Sequence, residues 1–397
     1  MTSGSSLPQE LLAALRKVLP DKTRIYPLHE PVFGGREWEY VKACIDTGMV
    51  SSVGTYVDKF ERMLEEYTGA RHAVAVVNGT AGLHIALKLA GVMPGDEVLV
   101  PALTFVASAN AVTYCGASPH FVDSEEQTLG LDPDKLHDYL KKVTEMRSGA
   151  CVHKKTGKVI RAMLPMHTFG HPVRLDECLR VARDFRIALV EDAAESIGSL
   201  YHGKHTGTFG LLGVLSFNGN KTITTGGGGA VLTNDRELAQ KAKHLTTTAK
   251  IPHAWDYRHD EIGYNYRLPN INAALGCAQL EQIEELITQK RKLASNYQQK
   301  VQLKSLRHAV EPTSCRSNYW LNAIFLPSEI DRDSVLAATN KAGIKTRPVW
   351  RLISTLAMYK KAKHSELSQA KKIESTLINL PSSANIVKIR DRGNSQT

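Results

Sequence analysis

The sequence contains no pair of cysteines close enough to form a metal or redox motif. Its six cysteines stand at 44, 115, 151, 178, 277 and 315. None forms a C-x-x-C pair, which argues against a zinc ribbon and a thioredoxin-like centre. Their scatter predicts buried free thiols. No apolar run approaches the length needed to cross a bilayer. The opening residues, MTSGSSLPQELLAALRKVLP, lack the basic stretch and continuous apolar core of a secretion signal and read as a short amphipathic helix. A cytoplasmic protein with no membrane association is the expectation. Also missing are an internal repeat, a long low-complexity linker, an aromatic-interleaved RNA motif and a basic helix-turn-helix pattern.

What is present is an ordinary globular composition: 397 residues, 42% apolar and 23% charged. That length suits two or three domains with a substantial core. The net charge of +10 is unevenly placed, because twelve Lys or Arg stand against three acidic residues from Lys341 onward. Without a nucleic-acid motif, this excess suits an anionic small molecule, and much of it a solvated face.

From residue 73 short β-branched runs alternate with helical stretches. AVAVV (73–77), EVLVP (97–101), PHFVD (119–123), AMLPMH (162–167) and IALVED (187–192) read as strands. Between them TAGLHIALKLAG reads as a helix, with Thr80 as N-cap and Gly91 as stop, as do FVASANAVTYCG, DPDKLHDYLKKV and LDECLRVARDFR. This alternation predicts an α/β fold with a mostly parallel sheet and flanking helices. Ligands in such sheets bind beyond the carboxyl ends of the strands. After about residue 235 the pattern changes. A long helical stretch over 271–300, a strand at WLNAIFL (320–326) and a helix at DSVLAATNKAG predict a smaller α+β domain. The expected division is an N-terminal segment over 1–44 that packs with the small domain, a large domain over 45–265 and a small domain over 266–397.

Three motifs carry chemistry. NGTAG (78–82) lies where a strand gives way to a helix, and its small residues let backbone amides approach a phosphate at the helix N-terminus. EDAAE (191–195) ends an apolar strand and delivers Asp192 into the crevice. A carboxylate there can keep a pyridine nitrogen protonated, so that the ring acts as an electron sink. SFNGNKTITTGGGGAVLT (216–233) places Lys221 in a polar turn before four glycines, with Ser216 as a phosphate ligand. A Schiff-base lysine needs such a shielded turn. The order is informative: phosphate turn, carboxylate, then a lysine 29 positions after that carboxylate. His167 and His171 are four apart, but TFG between them follows a strand, so no metal site is expected.

NGTAG, PALTFVASANAV, PMHTFGHPVRLDE, EDAAESIG, GTFGLLGVLSFNGNKTITTGGGGAVLT and GYNYRLPNINAALGCAQLE resemble, in order, the blocks of the DegT/StrS-type nucleotide-sugar aminotransferases. The resemblance implies a type I (aspartate aminotransferase-like) fold dependent on pyridoxal 5'-phosphate (PLP), and a homodimer with shared active sites. It implies that Lys221 forms the internal aldimine and that Asp192 pairs with the pyridine nitrogen. Phe105 would stack on the ring, and Gly79, Thr80 and Ser216 would hold the phosphate. Asn265 of the opposite subunit would reach the phosphate too, with Arg267 nearby. His167 is placed near the site, toward substrate. Glu195 stands where the family usually has glutamine, beside the cofactor's phenolic oxygen. That departure requires a protonated carboxyl or a compensating neighbour. The front segment, PLHEPVFGGREWEYVKACIDTGMVSSVGTYVDKFE, resembles the LegC-type branch, which acts on nucleotide-linked 4-keto-6-deoxy-N-acetylhexosamines in bacillosamine and legionaminic-acid routes. The implied reaction moves an amino group from L-glutamate, through pyridoxamine phosphate, to C4 of a UDP- or GDP-linked sugar. The alternatives are a perosamine-type keto-sugar or a regulatory paralogue that binds PLP without turnover. Related sugar dehydratases carry histidine in place of the lysine, so Lys221 argues against that chemistry.

Overall fold

The computed structural model describes residues 6–387. Three cations of the basic tail, Lys388, Arg390 and Arg392, lie outside them. The large sheet has seven strands: β1 (His72–Val76), β2 (Glu97–Pro101), β3 (Ser118–Val122), β4 (Ile160–Met163), β5 (Ala188–Asp192), β6 (Leu212–Ser216) and β7 (Gly229–Thr233). Their spatial order is β1-β7-β6-β5-β4-β2-β3. All neighbours are parallel except those of β7, which runs antiparallel to both β1 and β6. β2, β6 and β7 are buried along their whole length. Sheets covered on both faces select such continuous apolar strands. A mostly parallel sheet with flanking helices is thus the observed architecture.

Local chemistry adjusts several sequence-level boundaries. The helix after β1 spans Gly79–Leu89 and is capped by Asn78, whose side chain accepts from the Ala81 N–H at 2.8 Å. Thr80 lies inside the first turn and is not the cap. The extended backbone of Asn78 (φ −168°) carries its side chain over the orphan amides. The strand expected over 162–167 is β4, which begins at Ile160 and ends at Met163. Pro165 lacks the N–H that continued pairing needs, and Met166 returns only as an isolated bridge to Asp192. The long helical stretch over 271–300 is two helices, Asn270–Glu281 and Ile283–Lys300, broken at Gln282 (φ −114°). The side-chain amide of Gln282 donates to the Glu37 carboxylate.

A four-stranded antiparallel sheet follows, made of β8 (Arg307–His308), β9 (Asn322–Phe325), β10 (Arg347–Pro348) and β11 (Leu377–Leu380), in the order β8-β9-β11-β10. The first helix, Leu7–Arg16, packs on the helix Glu329–Lys341 and shares a core with Ile324 and Ile378. The second, Glu37–Asp46, packs instead on Asn270–Glu281. Tyr40 and Cys44 join Phe60 and Phe217 there, whose rings meet edge to face at 5.1 Å. Among the described residues no helix is long and apolar enough to cross a membrane. Five of the cysteines are buried, Cys315 is partly exposed, and all six are free.

Candidate active site

The carboxyl ends of β1, β2, β5 and β6 converge on one cavity of about 310 Å³. β1 leads into Asn78 and the helix N-terminus, where the first-turn amides of Gly79 and Thr80 have no intrahelical acceptor. Ser216, the last residue of β6, faces the same corner. A Cβ at Gly79 would stand 2.9 Å from the Ser216 Cβ, so only glycine lets this strand end approach the helix. Gly229 at the start of β7 is equally constrained, because a Cβ there would lie 2.8 Å from the backbone of Asn78 and Gly79. That is the work of the last glycine in the GGGG run. The result is a cup of amides and one hydroxyl at a positive helix end, suited to a phosphate.

Asp192 closes β5 on the opposite wall. It is 2% exposed and accepts from the Ser108 hydroxyl at 2.7 Å and from the Ala194 N–H at 3.2 Å. Ser108 in turn lies 2.9 Å from the Thr104 hydroxyl. Burial pushes the Asp192 carboxyl above its ordinary pKa, against these hydrogen bonds and the charge of Lys221. A fully buried carboxylate held mainly by neutral donors suits a cationic partner in the cavity.

Lys221 enters from the turn after β6, with its side chain 12% exposed. Its Nζ is 3.1 Å from Glu195 Oε1 and 3.9 Å from the centre of the Trp320 ring. The other Glu195 oxygen accepts from the Phe169 N–H at 2.9 Å. Burial pushes the Glu195 carboxyl up to about 7, although Lys221 and that amide oppose the shift. Near neutral pH this side chain can therefore donate a hydrogen bond as a glutamine does, or pair with the ammonium. Phe169 adopts φ +57° and Gly170 φ +92°, and a Cβ on Gly170 would lie 1.8 Å from Asn318 Oδ1. The corner that aims Glu195 is thus tightly constrained.

Residues from the small sheet's side complete the wall. Asn318 donates to the carbonyls of Glu195 and Ile197, both at 2.9 Å. Trp320 Nε1 donates to the Asn220 carbonyl at 2.7 Å, which holds the Lys221 turn against the indole. Beneath, the buried Lys290 donates to the carbonyls of Trp320 and Ser382, and burial lowers its amine to about 7. Phe105 caps the helix Val106–Tyr114 and is 49% exposed at the mouth, 6.3 Å from Trp350.

The structure therefore gathers Gly79, Thr80, Phe105, Asp192, Glu195, Ser216 and Lys221 around one cavity. It does not gather His167, Arg267 or Asn265 there. His167 is fully buried: Nε2 lies 3.1 Å from Glu191 Oε2, and Nδ1 accepts from the Val173 N–H. It braces the back of β5 instead of facing substrate. Arg267 lines a separate crevice beside Asp58, Lys243 and Thr247, with Nε buried and without a hydrogen bond. Asn265 is exposed and pairs through its backbone with Thr247. Sequence reasoning missed Ser108, Trp320 and Trp350. Ser108 sits in the quoted block PALTFVASANAV, three residues after Phe105, a spacing that places both on the first turn of one helix. The two tryptophans carry no local signal.

Residues 32–389 match the DegT/DnrJ/EryC1/StrS aminotransferase family. The chain belongs to that family of PLP-dependent sugar aminotransferases. It is 38% identical over 356 residues to GDP-perosamine synthase of Escherichia coli O157:H7, covering 90% of this chain and 93% of that one. It is 36% identical to GDP-perosamine synthase of Caulobacter vibrioides, with the same coverage. A solved DegT/DnrJ/EryC1/StrS aminotransferase from Brucella abortus superposes with a TM-score of 0.80 at 26% identity, over 91% of this chain and 96% of that one. The residues fit PLP: an amide cup for its phosphate, a buried carboxylate for its pyridine nitrogen and a lysine for its aldehyde carbon.

Proposed function

We propose that the enzyme transfers an amino group from L-glutamate to C4 of a nucleotide-linked 4-keto-6-deoxy-N-acetylhexosamine. One observation carries the nucleotide: the Lys221 cavity adjoins a basic cleft of about 550 Å³. The two share Asn220, Trp320 and Trp350, and the cleft adds Arg332, Arg347 and Arg351. Arg332 is committed to Glu329, Asp333 and the Glu374 carbonyl. Arg347 and Arg351 are exposed; Arg347 Nη1 donates to Asn340 Oδ1 and the Thr346 carbonyl, both at 2.9 Å, and Arg351 is only loosely paired to Glu374 at 3.8 Å, so their remaining guanidinium N–H groups suit a diphosphate. The front segment supports the acetylated sugar. A perosamine-type sugar is the second reading, supported by the names of the two relatives.

PLP supplies an electron sink for the carbon that loses its proton. The chain's own residues do the rest. With PLP bound, Asp192 would hold a positive charge on the ring nitrogen, Glu195 would serve the phenolic oxygen, and the Lys221 amine would move the proton as general base and acid. Trp320 covers the Lys221 amine, and Phe105 at the mouth would cover the ring.

The test is a panel of UDP-, GDP- and dTDP-linked 4-keto sugars with glutamate, read by mass spectrometry. The free keto-sugar is expected to react at least about 100-fold more slowly in kcat/KM, because remote contacts position the ketone. Equal rates with and without the nucleotide would refute the substrate class and leave the PLP chemistry standing.

Asn265, exposed in its own chain, is proposed to serve the cofactor of a second subunit in a homodimer. Mixing Lys221→Ala with Asn265→Ala subunits is then expected to give heterodimers more active than either parent. Verified heterodimers without that gain would exclude a shared site.

A further inference from the structure

The basic excess after Lys341 is only partly used at the active site. Arg347 and Arg351 stand at the cleft beside Lys221, but Lys361 and Lys363 lie elsewhere. With Lys142, Lys154 and Lys155 they surround a separate cleft of about 510 Å³. It lies beyond β3, the edge strand of the large sheet. Its walls are the end of the helix Pro133–Val143, the hairpin formed by Thr144–Arg147 and Ala150–His153, and residues 361–364. None of its lining residues lines the Lys221 cavity or the cleft next to it.

We propose that this remote cleft binds a multiply phosphorylated small molecule. No carboxylate lines it. The ammonium groups of Lys142, Lys155, Lys361 and Lys363 make no hydrogen bond or ion pair among the described residues, while Lys154 donates to the Lys142 carbonyl at 2.9 Å. The convergence is set by backbone, not by mobile side chains. The Phe121 N–H donates to the Lys363 carbonyl at 2.8 Å, and the Ser365 N–H to the Phe121 carbonyl at 2.9 Å, which fixes 361–364 along β3. The Lys154 N–H donates to the Val143 carbonyl at 2.9 Å, which fixes the hairpin on the helix end. Two stretches distant in sequence, 139–155 and 361–364, thus bring five like charges around one concavity. Their mutual repulsion is unfavourable until an anion enters, and low-dielectric walls focus the field on it.

The floor adds direction. His153 is 4% exposed, and its Nδ1 accepts from the Thr156 N–H at 3.2 Å. In the neutral ring this acceptor role puts the proton on Nε2, a donor free for a phosphate oxygen. Burial, with Lys155 and Lys363 nearby, holds the imidazole below its usual pKa, against the attraction of Glu97. The Tyr139 ring closes the side, its hydroxyl 2.8 Å from His120 Nε2. The volume lies within the roughly 300–1,000 Å³ of small-molecule sites and suits either a nucleotide or a short polyphosphate.

The experiment is calorimetric titration of the holoenzyme in the Arg347→Ala/Arg351→Ala background, which removes the competing cations beside Lys221. The probes are inorganic triphosphate and UTP. One equivalent is expected to bind, and binding is expected to weaken as salt is raised because exposed lysines are screened. Adding Lys155→Glu and Lys363→Glu is expected to weaken it at least about tenfold, the size of a lost charge-assisted contact. In the otherwise native enzyme those two changes are expected to leave amino transfer unaltered. UTP binding tighter than triphosphate would assign contacts to the base or ribose, and equal affinities a polyphosphate site. No binding of either probe at about 5 mM, or binding unchanged by the two glutamates, would overturn the proposal. The test needs no sugar substrate, so it stands apart from the reading of the active site.

Discussion

Lys221→Ala is expected to lower amino transfer at least about 10⁴-fold, the upper end of what a positioned proton-transfer group contributes. On the proposed reading the same side chain would hold the cofactor and move the proton, and no other lysine amine lines the cavity among the described residues. Lys290 is buried beneath Trp320 and bound to two carbonyls. The fold is expected to survive, because the lysine's side chain meets only the edge of the cavity, at Glu195 and the Trp320 ring. Without Lys221 the Glu195 carboxyl can take up a proton, so no obligatory buried charge remains. The measurement is single-turnover kinetics beside a thermal melt. Borohydride reduction of the native enzyme should fix PLP on the peptide that carries Lys221. Its recovery on another lysine would remove the assignment.

The second large effect is expected at Asp192. Asp192→Asn keeps the shape and can still accept from Ser108, but it cannot balance a positive ring nitrogen. The loss corresponds to removing one partner of a buried ion pair, about 3–5 kcal/mol, or roughly 10³-fold in rate. The cofactor-free protein is expected to respond in the opposite direction. Burial raises the Asp192 pKa in the folded state. Its contribution to stability is therefore full below the ordinary carboxyl pKa of about 3.9 and declines as pH rises through the folded value. At pH 8 the asparagine variant should thus melt above the parent without PLP, with the difference narrowing toward pH 4. A variant within tenfold of native turnover would exclude the ring-nitrogen role, and a lower melting point at pH 8 would contradict the buried-charge argument.

Much of this site is legible in the chain before any coordinates. β2, β3 and β5 read directly, because each is a short apolar run ended by turn residues. Lys221 and Asp192 read through their order after a phosphate turn, and Ser216 through its place at the end of the strand before the lysine. Other features are set by distant contacts. Trp320 lies 99 positions after the lysine it covers, and long-range hydrogen bonds from its own indole and from Asn318 hold it there. His167 sits in a quoted block, but pairing in β4 stops before Pro165, so counting along a continuous strand gives no guide to where its ring points. At the two-helix break the Gln282 side chain is held by Glu37, some 245 positions earlier. Asn265 does not line its own chain's cavity, so the role proposed for it would need a second subunit.

The place of β1 in the sheet has a consequence for how the enzyme is made. β1 is an edge strand of the large sheet, paired with β7 from His72–Thr233 to Val76–Gly229 and bridged at Val76 to Arg267. A ribosome adding roughly 5–20 residues per second needs about ten to thirty seconds to travel from one strand to the other. Throughout that interval an apolar strand, AVAV, waits without its native strand partner, held only on its outer side by Glu61 and Glu65 of the preceding helix. The phosphate cup cannot exist either, because Gly229 and Ser216 must meet Asn78 and Gly79 to form it. PLP can therefore act on folding only after most of the large domain has been synthesised. Fragments that end before residue 229 should be the species that associate and fall out of solution, and chaperones that shield nascent chains should matter more for this enzyme than added cofactor.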